Sequence, residues 1–141
     1  MKSRISSYRE QFNQIFSGVS WLDESFSKKL DNLSDVQVFS KSPCHNHSIA
    51  EVVSHITEWR KEIVRRLNRN SSERMLTIES ANNWVSLQQL KETGWPQLYA
   101  DLKESQQEIN NLLENKDERF LGRNLVKSTV LPDYCIMICI I

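Results

Sequence analysis

His47-Ser-Ile-Ala-Glu-Val-Val-Ser-His-Ile-Thr-Glu-Trp-Arg-Lys-Glu-Ile-Val-Arg-Arg-Leu67 is the stretch whose reading decides the fold. Ser48 is followed three residues later by Glu51, the reciprocal side-chain-to-backbone pattern of a capping box, so the spacing predicts a helix starting there. Ile49, Val52, Val53, Ile56, Trp59, Ile63 and Leu67 then recur at helical intervals. At about 100° per residue they form one broad apolar arc that a core must cover. His55 falls at the margin of that arc, with Glu51, Glu58 and Glu62 on its other side. A histidine at such a seam is either a packed, hydrogen-bonded core residue or a ligand or base.

Outward from this helix, the composition is that of an all-α chain. The 141 residues contain only three glycines and three prolines, too few turn residues for a many-stranded sandwich or barrel. That length suffices for one domain with its own core, so a single helical domain over 1–141 is expected. Lys plus Arg equals Asp plus Glu at 18 each, so nucleic acid is not an expected partner. Met1 to Glu10 has no apolar h-region, and no stretch reaches the roughly 20 apolar residues of a membrane span. Cys44, Cys135 and Cys139 form no disulfide framework, which suits a reducing cytoplasm.

Along the chain, Ile5, Tyr8, Phe12, Ile15 and Phe16 predict a leading helix to about Ser17. A helix from Trp21 to Leu33 follows, and Ser34 with Gln37 repeats the capping pattern over a single turn. Phe39 to Asn46 reads as the loop into the His55 helix, which is expected to end between Asn68 and Ser72. Its last turns carry Arg60, Lys61, Arg65, Arg66 and Arg69. Cations on a solvated face at the negative end of the helix dipole explain them better than a phosphate site does. Ser71 to Val85 connects to a third helix capped by Ser86 and Gln89. Pro96 interrupts that helix, so Gly94-Trp95-Pro96 is a kink or restart, and the helix runs out near Asn115. Glu118 to Pro132 is a loop. The apolar tail Asp133 to Ile141 must be buried, paired with another chain, or aggregation-prone.

Residues able to do chemistry are few. His45, His47 and His55 are the only histidines, and Cys44-His45-x-His47 matches no zinc spacing. No phosphate-binding glycine loop, G-x-S-x-G elbow or H-E-x-x-H pair is present. Cys135 and Cys139, four apart, would share one helix face and with His55 would make a Cys2His set suited to zinc. Burial as small hydrophobes is the simpler account of both cysteines.

The order His47-Ser-Ile-Ala-Glu-Val-Val-Ser-His55-Ile-x-x-Trp59-Arg60 resembles the second helix of the DinB/YfiT-like superfamily. The likeness takes in Gly18-Val-Ser-Trp21, Asn82-Asn-Trp84 and Leu87-x-x-Leu90-Lys-x-x-Gly94-Trp95, and so reaches to about Phe120. The resemblance implies a four-helix bundle, often a homodimer, holding a divalent metal such as zinc or nickel on three histidines. His55 stands at the ligand position of the second helix, with Glu51 or Glu58 as its orienting neighbour. The resemblance also implies a metal-dependent transferase acting on a small-molecule thiol. The other two ligands would come from a His-x-x-x-His pair on the fourth helix, but no histidine follows His55. The expectation is therefore a DinB-like bundle with a short or truncated fourth helix and an incomplete metal site. The alternative is a non-catalytic helical dimerisation module of the same fold.

Overall fold

Five of the six described helices begin where a serine supplies a side-chain acceptor for otherwise unpaired amides. A computed structural model describes residues 3–19, 23–68 and 76–120, and those residues hold helices and no strand. The helices are α1 (Arg4–Ser17), α2 (Phe26–Leu30), α3 (Asp35–Phe39), α4 (Ile49–Leu67), α5 (Leu87–Thr93) and α6 (Trp95–Glu114). Ser3, Ser25, Ser34, Ser48 and Ser86 cap the first five. Both expected capping boxes form, Ser34 with Gln37 and Ser48 with Glu51. Gly94 takes φ +86, a left-handed conformation open to glycine, and so ends α5 and lets α6 restart at Trp95.

The helix expected from Trp21 to Leu33 is shorter than its apolar spacing suggests. Asp23 sits at φ 53, outside the right-handed helical region, and Ser25 caps a fresh start, leaving the five-residue α2. Trp21, Cys135, Cys139 and the apolar tail lie outside the described residues.

The chain divides into two compact units, residues 1–32 with 106–141 and residues 33–105, so that the boundary falls within α6. In the first unit α1 runs antiparallel to the carboxyl half of α6. Glu118 accepts from the Arg4 and Ile5 amides at 2.6 and 3.4 Å, adding a cap to the start of α1. Arg9 meets Glu114 at 3.4 Å. Asn13 Oδ1 accepts from Asn110 Nδ2 at 2.6 Å and from Gln106 Nε2 at 3.2 Å. Gly18 closes α1 with its amide on Asn13 O and Gln14 O, and a Cβ there would come within 2.6 Å of Gln14 Cα. Only glycine allows that approach.

The second unit contains α3, α4, α5 and the amino half of α6. Its core is built from Val38, Ala50, Val53, Ile56, Trp59, Leu76, Leu90, Trp95, Leu98 and Leu102. Burial of each larger apolar side chain contributes about 1.5–3 kcal/mol. The arc on α4 is rotated from the one the spacing predicts: Ile49 and Val52 are exposed, whereas Arg60 and Glu62 are buried. No helix among the described residues is long and apolar enough to cross a membrane.

Candidate functional site around His55

The polar groups of the second unit gather where the turn at Ile78–Trp84 meets α4. Asn83, buried, is the centre of that junction. Its amide donates to Ser80 O at 2.9 Å, closing the turn. Its Nδ2 donates to Ile78 O at 2.8 Å, and its Oδ1 accepts from Trp59 Nε1 at 2.8 Å. Its backbone oxygen lies 2.7 Å from His55 Nδ1. Thus two donors and two acceptors of one residue are engaged by four partners, two of them on α4.

His55 lies half-buried at the rim of the core, as its sequence position implies. Its ring stacks on the Trp84 indole, with centroids 4.1 Å apart and planes 10° apart, and meets Trp59 edge-on at 6.3 Å. His47 stacks on the same indole at 3.8 Å and 8°. Two imidazoles that close to one indole cannot share a face without overlapping, so Trp84 stands between them. The indole therefore keeps His47 and His55 from reaching one ion together.

The carboxylates expected beside His55 are engaged elsewhere. Glu51 Oε2 accepts from the Ser48 amide and hydroxyl at 2.7 and 2.8 Å, while Lys41 Nζ lies 3.1 Å from Oε1. Burial alone raises the Glu51 pKa, but the two Ser48 hydrogen bonds and Lys41 together outweigh it. The carboxyl accordingly sits below its ordinary range. His47 Nδ1 is 3.9 Å from the same carboxylate. Glu58 pairs with Lys61 at 3.7 Å. The partner of His55 Nδ1 is thus a backbone carbonyl on Asn83, 28 positions along the chain, in place of Glu51 or Glu58.

The basic end of α4 is likewise tied up within the fold. Glu62 Oε1 accepts from Arg66 Nε at 2.7 Å and Oε2 pairs with Arg65 Nη2 at 2.9 Å. Arg66 Nη2 reaches on to Leu76 O at 3.1 Å. These cations neutralise a buried carboxylate and hold the chain at Leu76, which accounts for them without a phosphate ligand.

Among the described residues no group of three or more His, Cys, Asp or Glu side chains is placed to hold a metal ion. His55 is the one residue of the expected metal set that the described residues include. Asn83 and Trp84, which orient it, stand out in the sequence only as a turn-favouring asparagine pair followed by an aromatic. Compared with family models, curated proteins and solved structures, the chain matches none.

Proposed function

We propose that this chain is a DinB-like helical protein, a bundle of the kind used by metal-dependent thiol S-transferases, and that His55 is its functional imidazole. The observation that supports this reading is the 2.7 Å contact between His55 Nδ1 and Asn83 O. A carbonyl oxygen only accepts, so this contact calls for a proton on Nδ1, and an uncharged imidazole held this way keeps its lone pair on Nε2. Histidine ligands are commonly arranged in this way, with one nitrogen donating to the protein and the other left to a metal.

His55 fits as one ligand of a divalent zinc or nickel site. The described residues do not complete the usual three-donor set, so no metal step follows from them. The test is the metal content of the purified full chain by elemental mass spectrometry, beside His55→Ala and Cys135→Ser/Cys139→Ser. Stoichiometric zinc or nickel that disappears in His55→Ala is the expected result, and a small thiol is then the substrate class to assay. A metal-free parent chain whose folding is unchanged by these substitutions would sink the enzyme reading.

A second reading, a non-catalytic module that forms a homodimer in the cytoplasm, is favoured by a different observation. Ile49, Val52 and Trp84 are apolar yet 36–40% exposed. Sedimentation equilibrium separates the two readings. A metal-free dimer that Val52→Asp dissociates supports the module, and a monomer at all accessible concentrations removes it.

A further inference from the structure

We infer that Asn83 is a positioning residue that acts through His55, selecting which imidazole nitrogen is offered to a ligand or substrate proton. The inference rests on reading His55 as the functional imidazole of the site, and it adds the device that governs it.

Left to itself, a neutral histidine exchanges its proton between the two ring nitrogens. Here the backbone oxygen of Asn83, 2.7 Å from Nδ1, accepts only from the Nδ1–H form. What keeps that oxygen in place is the side chain of the same residue. Asn83 Oδ1 is held by Trp59 Nε1 at 2.8 Å and Nδ2 by Ile78 O at 2.8 Å, so the carboxamide is anchored at both ends. No other side chain of this size carries an acceptor and a donor together in this geometry. Aspartate would set a carboxylate against the Ile78 carbonyl, and alanine would leave Trp59 Nε1–H and Ile78 O without these partners. Trp59 lies one helical turn from His55 on α4, so the helix that carries the imidazole also carries the anchor for its orienting carbonyl. Trp84, next in the chain, lies flat on the ring and restricts its rotation. The turn and the helix together thus present a single acceptor, Nε2, in a set plane. Such a nitrogen takes a borderline divalent cation or the proton of a thiol.

The test is the tautomer of His55, read from imidazole nitrogen shifts in the 15N-labelled full chain at about pH 8.5, where histidines are ordinarily neutral. In the parent, Nδ1–H is the expected dominant form. Asn83→Ala is expected to shift the ratio about tenfold toward Nε2–H, the scale of one net hydrogen bond. Trp59→Phe keeps the ring but removes the anchoring donor, and should shift the ratio in the same direction by a smaller factor. A parent chain with its proton on Nε2 overturns the inference without any variant. A folded Asn83→Ala chain with an unchanged ratio overturns it as well. If Asn83→Ala does not fold, Trp59→Phe decides, and no shift there refutes the role. Metal content is a separate measurement, so the tautomer can hold while the metal reading fails, and the reverse.

Discussion

Two polar knots fasten the segment after α4 back onto that helix, and they are built from opposite materials. At Asn83 every participant is a neutral donor or acceptor: an indole, an imidazole, a carboxamide and two backbone carbonyls. At Glu62 the participants are a buried carboxylate and two guanidinium groups, with Leu76 O as the far anchor. The charged knot is strong because removing one partner strands charge in a poorly hydrated place. The neutral knot is weaker but directional, and on the inference above its direction selects the nitrogen of His55 that bears the proton. The difference teaches that α4 is held at its basic end and informed at its histidine.

The largest effect expected from breaking this contrast is at Glu62. Glu62→Ala should destabilise the chain by about 3 kcal/mol in urea unfolding, the lower end for breaking a buried pair, because Arg65 and Arg66 keep some water. Asn83→Ala comes next, at about 2 kcal/mol, for stranding the Trp59 donor and the Ile78 acceptor. Salt sharpens the comparison. Raising ionic strength should shrink the Glu62→Ala difference and leave the Asn83→Ala difference unchanged, since neutral hydrogen bonds are not screened. Equal salt dependence in both variants would abolish the distinction.

The smallest effect is at the start of α4. Ser48→Ala removes the cap and should cost about 1 kcal/mol. Its signature is in the pH dependence. The Glu51 pKa is lowered in the folded chain, so its contribution is present above the ordinary carboxylate range and is lost as pH falls through the lower folded value. Removing the Ser48 hydroxyl should bring the Glu51 pKa back up and flatten that acid limb. An acid limb of undiminished height in Ser48→Ala would mean that another carboxylate produces it.

Much of this was legible before any coordinates. The Ser48–Glu51 and Ser34–Gln37 boxes, the Ser86 start and the Gly94–Pro96 restart are local patterns whose partners lie within four residues. The interactions that make them operate in a peptide of that length. The position of His55 at the rim of the core also follows from helical spacing alone. Illegible were the exposure of Ile49 and Val52 and the burial of Arg60 and Glu62, because spacing marks an apolar arc without marking what covers it. The length of α2 is illegible for a related reason. Its apolar repeat continues through Asp23, while the left-handed backbone there does not.

The sequence by itself determined that the described chain is helical, where most of its helices start and stop, and that His55 would sit between core and solvent. These are consequences of short-range hydrogen bonding and of a period of about 3.6 residues. Only the tertiary structure decided which group faces His55 Nδ1, that Trp84 stands between His47 and His55, and that Arg66 reaches on from Glu62 to Leu76 O. Each of those contacts joins α4 to a turn lying ten to twenty-eight residues further along, or joins two histidines through such a turn. Pairings at that range are set by how elements pack, and no local pattern encodes them.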